Sequence, residues 1–309
     1  MARNKSLSKR DSYIWFDGRF MKSEAAHVNV LTHSLQYGTG IFEGIRSFSY
    51  NNRTSIFRLR EHAERFINTA KICNMKFGLN RSQIEKAIID TVRKNGSSEF
   101  YIRPFAFYND SHIGLSVEGK KVSTIIAAVP FGAYFAGKEK GLRCGISSWR
   151  RINPAILPTE AKLSGNYANS LLASMEAKAS GYDEAILLSQ EGFVAEGAAE
   201  NIFLVQNGKL VTPSKEADIL MGITRDTVIK LAETMAITVE EREVHREELY
   251  TSDEAFFTGT AAGIAPITHI DGRKLGNGNA GAITSSLAAN YAKAVHGELE
   301  MFKNWCTFV

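Results

Sequence analysis

The alternation of helical and strand-like apolar periods in both halves of the chain limits the possible folds. From Leu59 to Phe77 the apolar residues recur every three or four positions, which predicts an amphipathic helix, and a similar pattern runs from Ile84 to Lys94. The next segments, "EFYIRPFAF" and "VSTIIAAV", read as strands, and the second is apolar throughout, as is typical of a strand covered on both faces. This mixture favours an α/β or α+β fold.

Turn signals divide much of the remaining sequence into short strands. "YIWFDGRFM" places Asp-Gly between two apolar runs, and "NIFLVQNGKLVTP" does the same with Asn-Gly, so both predict hairpins. "EAILLSQEGFVAEG" also predicts a hairpin, and "EAFFTGTAAGIAPITHI" predicts two strands joined by a glycine-rich turn. A further strand is expected at Leu142–Ser147.

Two more helices are expected in the second half. One runs from about Ala168 to Ser180 and stops at Gly181, because glycine commonly caps the C-terminal end of a helix. The other runs from Thr224 to Met235, with apolar residues on one side. The charge-rich run "VEEREVHREELYTSDE" is interpreted as a solvated face.

The chain has 309 residues, a length that predicts about two domains. The proline- and glycine-punctuated stretch "PFGAYFAGKEKG" is the expected linker. We therefore predict a small N-terminal α/β domain at residues 1–130, an interdomain loop at 131–140, and a larger C-terminal α/β domain at 141–309.

Composition excludes several classes of protein. The net charge of +4 gives no reason to expect a nucleic-acid partner. The basic first ten residues are not followed by an apolar run, so they predict a disordered arm rather than a secretory signal, and no stretch approaches ~18 consecutive apolar residues. Three widely spaced cysteines, Cys73, Cys144 and Cys306, favour a reducing compartment and predict a cytoplasmic protein without a metal site.

Lys162 stands in an unusual setting, "PTEAKLSGNYANS", among small, apolar and amide residues. The lysine could simply extend its ammonium to water. Alternatively, removal from water lowers the proton affinity of an amine and makes it nucleophilic, as a Schiff-base lysine requires. The adjoining Gly165 would let the backbone approach a flat ligand.

Other segments offer what such a lysine needs in order to work with pyridoxal phosphate. "GITRD" opens a predicted helix and "TGTAAG" forms a small-residue turn, and both suit a phosphate. Arg58 could contact the same phosphate, Glu196 could face the ring nitrogen, and Tyr167 could reach the ring oxygen. Each also has an ordinary interpretation: a common helix start, a surface arginine, a solvated acid or a core tyrosine.

The motif "YIRPF" places Tyr101 and Arg103 two residues apart on a predicted strand, so both side chains share one face. An arginine among aromatic residues implies a buried acidic partner or an anionic ligand. An intramolecular salt bridge is the alternative to a substrate carboxylate.

Taken together, the motifs resemble the branched-chain amino-acid aminotransferases of the fold-type-IV, class IV pyridoxal-phosphate-dependent family, whose fold is like that of D-amino-acid transaminase. The resemblance covers roughly Tyr13 to Phe302, with the blocks in the family's order. Those blocks are "YGTGIFEGIRSF", "FRLREH", "YIRP", "PFGAY", "AKLSGNYANSLLA", "EGAAENIFLV", "GITRD" and "GTAAGIAPI".

The resemblance implies a role for individual residues. Lys162 would be the catalytic residue, forming the Schiff base and then acting as acid and base. The cofactor would be held by Arg58, Lys162, Tyr167, Glu196, Ile223, Thr224, Gly259 and Thr260. The substrate would be held by Tyr37, Phe42, Tyr101, Arg103, Leu115, Phe131, Tyr134 and Ala261, with Tyr37 and Leu115 coming from the partner subunit of a homodimer or higher homo-oligomer.

The activity implied is transfer of an amino group between Leu, Ile or Val and 2-oxoglutarate. Within the same fold, a D-amino-acid transaminase, an aminodeoxychorismate lyase or an (R)-selective amine transaminase are alternatives, against which the "YIRP" and "FEGIR" blocks argue. A non-catalytic pyridoxal-phosphate-binding protein is the alternative from another class. Two departures from the family pattern, Gly263 for Glu and Ser189 for Asp, put the substrate preference in question rather than the chemistry.

Overall fold

The computed structural model describes residues 12–50, 53–96, 99–132, 134–135 and 141–309. The basic first ten residues, and residues 133 and 136–140 of the predicted linker, lie outside the described residues. The described residues divide into two compact units. The first comprises the described residues up to Gly132 with Ala161–Gly165 and Val295–Val309, and the second comprises those of Ala133–Glu160 with Asn166–Ala294. The predicted division into residues 1–130, a loop at 131–140 and residues 141–309 stays a prediction.

The described residues form strands and helices in alternation, joined by turns and short 3-10 helices. The strands are β1 Tyr13–Phe16, β2 Arg19–Lys22, β3 Ile41–Phe42, β4 Ile45–Tyr50, β5 Arg53–Phe57, β6 Phe100–Tyr108, β7 Val122–Pro130, β8 Leu142–Arg150, β9 Glu184–Leu188, β10 Val194–Gly197, β11 Asn201–Gln206, β12 Lys209–Pro213, β13 Val239–Arg242, β14 Glu254–Gly259, β15 Gly263–Ile270, β16 Arg273–Lys274 and β17 Cys306–Phe308. The α-helices are α1 His33–Tyr37, α2 Leu59–Ile72, α3 Arg81–Lys94, α4 Tyr167–Ala179, α5 Ile223–Thr234, α6 Glu248–Thr251 and α7 Ala282–Val295.

The first unit is built on an antiparallel sheet in the order β17-β5-β4-β6-β7-β1-β2, with β3 paired to β6. The apolar faces of α2 and α3 pack with the sheet residues in one core that includes Phe66, Ile88, Ile102 and Ile126. The Asp-Gly hairpin of β1 and β2 is confirmed. The core therefore holds β6, which carries two predicted site residues, against the helices.

The predicted helix at Leu59–Phe77 ends earlier than its apolar period suggests. Asn74 takes a left-handed conformation with φ 48°, and the Met75 N–H donates to the Ala70 carbonyl, which closes the helix end. Phe77 still reaches the core, since its ring centre lies 5.4 Å from that of Phe66. The apolar pattern thus reports burial of these residues, while the backbone conformation of Asn74 decides where the helix stops.

The second unit is built on a mixed sheet in the order β10-β9-β8-β15-β14-β11-β12-β13, with β16 paired to β15. The predicted hairpins β9–β10, β11–β12 and β14–β15 are confirmed, and β8 runs parallel to both of its neighbours. The helix α4 ends as predicted: Gly181 has φ 79° and the Tyr182 N–H donates to the Ala177 carbonyl.

The charge-rich run is more structured than a solvated face. It contributes the parallel edge strand β13 and the short helix α6, and it buries Val244 and Leu249 completely. Its charges pair at the surface, for example Arg242 with Glu248 at 2.6 Å. Nothing in the described part of the chain is a helix long and apolar enough to cross a bilayer.

Candidate active site

The lysine segment 162–165 is paired with residues 38–42 in the first unit, where Leu163 forms an isolated bridge and a short 3-10 helix starts at Ser164. Three backbone hydrogen bonds of 2.7–3.0 Å join it to residues 38–42, and Ile41 forms an antiparallel bridge with Leu163. The Lys162 N–H also donates to the Thr69 hydroxyl at 3.2 Å. Pairing on both sides restricts the backbone beneath the lysine, so its side chain starts from a defined position.

Gly165 has a different close neighbour from the one expected. A Cβ on this residue would lie 3.3 Å from the Gly38 carbonyl oxygen, and a Cβ on Gly38 would lie 3.1 Å from the Gly165 Cα. Gly38 also has φ 66°, a conformation that glycine adopts readily. Two glycines therefore allow the lysine segment and residues 38–42 to approach, while contact between Gly165 and a flat ring stays a prediction.

The ring of Phe42 lies beneath two cations. The Lys162 Nζ is 5.1 Å from the ring centre, and the Arg103 Cζ is 4.5 Å from it. Both distances are within the range of a cation–π contact. The first unit thereby brings together the predicted catalytic lysine, the predicted carboxylate-binding arginine and an apolar residue of the predicted side-chain pocket.

Tyr101 and Arg103 share a face of β6, as predicted. The Arg103 Nη2 donates to the Tyr101 hydroxyl at 3.2 Å, while its Nε is buried and has no hydrogen-bond partner among the described residues. Within the described ranges no carboxylate pairs with Arg103, so the intramolecular salt bridge is not found there. The ring of Phe131 packs 5.1 Å from that of Tyr101. This leaves a guanidinium group able to bind a ligand anion.

Gly44 has a steric reason to be glycine. A Cβ at this position would lie 2.0 Å from the Tyr101 hydroxyl oxygen. The contact explains why a glycine follows Glu43 in the "FEGIR" block.

Arg58 sits at the start of α2 in a left-handed conformation with φ 53°. Its Cζ lies 4.5 Å from the ring centre of Trp305, and its Nε lies 2.5 Å from the Glu61 carboxylate. A left-handed backbone is costly for a residue other than glycine, of order 1–3 kcal/mol. The surrounding contacts therefore hold this guanidinium in a set direction rather than leaving it on a free surface.

Tyr37 and Leu115 lie on an exposed part of the first unit. The Gly114 N–H donates to the Tyr37 hydroxyl at 3.1 Å, and Leu115 is 77% exposed. Tyr134, in the second unit, is also exposed, and its ring centre is 4.7 Å from that of Phe135. Their place in a substrate pocket stays a prediction.

In the second unit, Glu196 is a buried carboxylate with several donors. Its side chain is almost completely enclosed, the Arg151 Nε lies 2.7 Å away, and the Asn201 amide and the Leu220 N–H each donate at 3.1 Å. The register of β10 against β9 shifts at this residue, which is how a bulge redirects a side chain. The carboxylate is thus fixed in place and stabilised as an anion.

Sequence reasoning missed Arg151 and Asn201, which hold Glu196. Arg151 lies outside the quoted motifs and far from Glu196 along the chain. Asn201 lies in the quoted block "EGAAENIFLV", five residues after Glu196, so its place beside the carboxylate was the signal that could have found it. Asn201 also explains Gly222, since a Cβ on Gly222 would lie 2.0 Å from the Asn201 side-chain oxygen.

Two turns of the second unit have the geometry of anion sites. Ile223 and Thr224 are the first residues of α5, a 12-residue helix whose first N–H groups have no partner within the helix. Between β14 and β15, Gly259 pairs with Gly263, which leaves residues 260–262 as a three-residue turn. The Thr258 hydroxyl beside this turn is buried and has no hydrogen-bond partner among the described residues.

Tyr167 is the first residue of α4 and is half-buried; along the chain it follows the lysine segment.

The two residues that depart from the family pattern are Gly263 and Ser189. Gly263 has φ 64° and closes the turn at residues 260–262. Ser189 is buried between β9 and β10, and its hydroxyl lacks a partner among the described residues. Among the residues with described positions, no group of three His, Cys, Asp or Glu could hold a metal ion.

Comparison with known proteins identifies the class. The family described as amino-transferase class IV matches residues 40–270, which include the lysine segment, Glu196 and both turns. The chain belongs to the class IV aminotransferase family. This match confirms the predicted family, enzyme class and mixed α/β fold class.

Individual relatives are more specific. The chain is 42% identical to a branched-chain-amino-acid aminotransferase of Pseudomonas aeruginosa over 98% of its own length and 99% of that protein. Among solved structures it is similar to the branched-chain aminotransferase of Thermoproteus uzoniensis with norvaline, at 46% identity and a TM-score of 0.92, covering 96% of this chain and 99% of that one. It is also similar to the branched-chain amino acid aminotransferase of Thermobaculum terrenum in its PLP-form, at 38% identity and a TM-score of 0.92, covering 97% and 99%.

Proposed function

We propose that the protein is a pyridoxal-phosphate-dependent aminotransferase that moves an amino group between Leu, Ile or Val and 2-oxoglutarate. The observation that carries the proposal is the arrangement around Phe42, where a paired lysine segment and a guanidinium without a described carboxylate share one ring. The names of the similar proteins support the substrate class.

Each unit contributes residues that fit pyridoxal phosphate. The second unit offers a buried carboxylate at Glu196 and the first N–H groups of α5, which have no partner within that helix. Beside the turn at residues 260–262 it also offers the buried Thr258 hydroxyl, which has no hydrogen-bond partner among the described residues. The first unit offers the Lys162 amine and the oriented Arg58 guanidinium. Similar structures in the PLP-form, or complexed with N-(5'-phosphopyridoxyl)-L-glutamate, support the predicted cofactor.

Each cofactor-binding residue would then have a defined task. When bound, the cofactor supplies an electron sink for the bond that is broken at the substrate Cα. Lys162 would hold it through Nζ and carry protons at that same nitrogen. Glu196 would hold the proton on the ring nitrogen, and Tyr167 would donate to the ring oxygen. The phosphate would be held by Arg58, Ile223, Thr224, Gly259 and Thr260.

The substrate would be bound at both ends. Tyr101 and the N–H groups of Thr260 and Ala261 would bind the α-carboxylate, and Arg103 would bind the second carboxylate of glutamate. An apolar pocket would take the aliphatic side chains, since burial of each CH₂ contributes about 0.8 kcal/mol. That pocket would be formed by Phe42, Phe131 and Tyr134, with Tyr37 and Leu115 of the partner subunit.

A homodimer is part of the proposal. The first unit exposes an apolar patch that includes Val30, Leu35, Ile113 and Leu115. The Thr32–Ser111 bridge holds the two contributing segments together. Large exposed apolar patches mark interaction surfaces. A cytoplasmic location stays a prediction.

A mutant and a substrate panel test the function. Purified protein is expected to show the visible absorption of the bound cofactor, and Lys162→Ala is expected to lose the lysine-dependent band. With 2-oxoglutarate as acceptor, L-Leu, L-Ile and L-Val should react faster than D-Ala or aromatic acids. An unchanged band in the mutant would exclude Lys162, and turnover of D-amino acids alone would exclude the branched-chain assignment.

A further inference from the structure

A buried ionic cluster in the first unit lies next to the lysine segment and has no role in the proposed reaction. Glu43 is 0% exposed, and its carboxylate accepts from Arg65 Nε at 2.6 Å and Nη2 at 2.9 Å. It also accepts from His62 Nδ1 at 2.8 Å and from the Gly44 N–H at 3.2 Å. We call Glu43, His62 and Arg65 the Glu43 cluster.

The Glu43 cluster needs an explanation other than stability. Removing two charges from water is costly, and well-packed apolar residues are often equally or more stabilising than a buried ion pair. Four donors around one carboxylate instead give a single geometry with strong directional preference. A cluster of this kind is suited to holding two parts of the chain in register.

The two parts are the helix α2 and residues 42–44. His62 and Arg65 lie on α2, and Thr69 follows on the same face one turn further along. The Thr69 hydroxyl accepts the Lys162 N–H, and on the other side the Phe42 N–H donates to the Lys162 carbonyl at 3.0 Å. Lys162 is therefore bracketed by the two elements that the Glu43 cluster joins.

The residues on either side of Glu43 contact the other substrate groups. The Phe42 ring lies under both Lys162 and Arg103, and Gly44 lies against the Tyr101 hydroxyl. The Glu43 N–H itself donates to a carbonyl of β6, at Pro104. A shift of residues 42–44 would thus move the contacts of the amine and of both carboxylate-binding side chains together.

Electrostatics gives the cluster a second property. Burial would raise the pKa of Glu43, but Arg65 and His62 hold it well below its usual range. Burial lowers the pKa of His62, the positive charges of Arg65 and Lys162 lower it further, and Glu43 opposes them. At neutral pH the carboxylate and guanidinium are charged and the imidazole is neutral, so the cluster has no net charge.

We propose that the Glu43 cluster is a positioning device for Lys162. It holds the lysine between α2 and residues 42–44, and it adds no net charge beside the amine. This inference rests on the proposed function, in which Lys162 is the catalytic residue.

The first test changes the charge of the holoenzyme without removing volume. Glu43→Gln leaves the cluster with one net positive charge, which disfavours a second positive charge on the nearby Lys162 nitrogen. The pH midpoint, at which the lysine-dependent visible band is half titrated, should therefore fall by on the order of one pH unit. Displacement of the lysine should slow both half-reactions by about 10- to 100-fold. Glu43→Asp keeps the charge, so it should return the midpoint toward that of the wild type.

A matched control separates positioning from stability. Ile88→Ala creates a cavity in the core of the first unit and removes no group of the cluster, so it should lower the melting temperature while the midpoint and half-reaction rates stay near wild type. If Glu43→Gln shows the wild-type midpoint and rates, the inference is wrong, whatever happens to its stability.

A second pair of variants covers the case in which Glu43→Gln does not fold. His62→Asn keeps an amide N–H near the position of Nδ1, whereas His62→Leu removes the donor. The half-reactions should slow by about tenfold or more in His62→Leu and stay within about threefold in His62→Asn. Equal rates in both variants would overturn the positioning role. Loss of the proposed function itself would show differently, as a wild-type protein without a visible band that depends on Lys162.

Discussion

Arg103 offers the sharpest test of how one site accepts both an aliphatic and an acidic amino acid. The proposed perturbation is Arg103→Met, which keeps an apolar stem and removes the guanidinium that lies over Phe42. The wild-type guanidinium has one described hydrogen bond, to the Tyr101 hydroxyl, so its removal leaves no buried carboxylate unpaired among the described residues. The effect of Arg103→Met on the free energy of unfolding should therefore be small.

The expected magnitude differs between the two substrates. A hydrogen bond to a charged group contributes about 1.5–3 kcal/mol, and opposite charges at about 4 Å contribute about 4 kcal/mol at an effective dielectric constant near 20. For glutamate, a loss of about 2–4 kcal/mol corresponds to a rate reduced about 30- to 1,000-fold. For leucine, only the contact with Phe42 is changed, about 0.5–1 kcal/mol, which is about fivefold or less.

The assay is single-turnover stopped-flow spectroscopy of each half-reaction, with Arg103→Lys as the control that keeps a positive charge. Arg103→Lys should retain part of the glutamate rate, because lysine offers a charge without the paired donors of arginine. Equal losses for glutamate and leucine in Arg103→Met would refute the assigned role. Such a result would mean that the arginine supports the site in general rather than the second carboxylate.

Three further predictions follow from particular contacts. Arg242 lowers the pKa of Glu248 to about 2, so the ionised carboxylate stabilises the fold above pH 4.5 and this contribution is lost as the pH falls toward 2. Between those pH values the free energy of unfolding of Glu248→Gln should therefore fall by about 1 kcal/mol less than that of the wild type, allowing for solvent screening, as acid unfolding curves will show. Gly44→Ala should displace the Tyr101 hydroxyl and raise KM for both leucine and glutamate in steady-state kinetics. The visible absorption of the bound cofactor should be retained. Leu115→Glu should yield monomers in light scattering at neutral pH, and a dimer that persists in this variant would argue against the apolar patch as the subunit contact.

Local patterns predicted the elements well because their causes are local. The amphipathic period identified α2 and α3, and the Asn-Gly turn between β11 and β12 has φ 51° at Asn207 and 76° at Gly208, as a hairpin of this kind requires. Helix ends depend on capping as well as on the apolar period. The capping box of Asn80 and Gln83 starts α3 ahead of its first apolar residue, so the helix begins before the predicted position.

The candidate site was predicted through residues with recognisable chemistry, and its supporting contacts were not. Lys162, Glu196 and Arg103 were proposed from their neighbours in sequence and from the family resemblance. Arg151 and the Glu43 cluster were missed, because a buried charge becomes visible only when its partner does. His62 lies 19 residues from Glu43 along the chain, and no local period relates the two.

The sequence by itself determined the class of elements and the family, and it predicted the reactive lysine, since these depend on side-chain type and short-range spacing. Only the tertiary structure decided that segment 162–165 pairs with residues 38–42 and that β17 completes the first sheet beside β5. It also decided which donors surround Glu43 and Glu196. Pairing across such distances is selected by the burial of whole surfaces and the satisfaction of buried polar groups, which no short stretch of sequence contains.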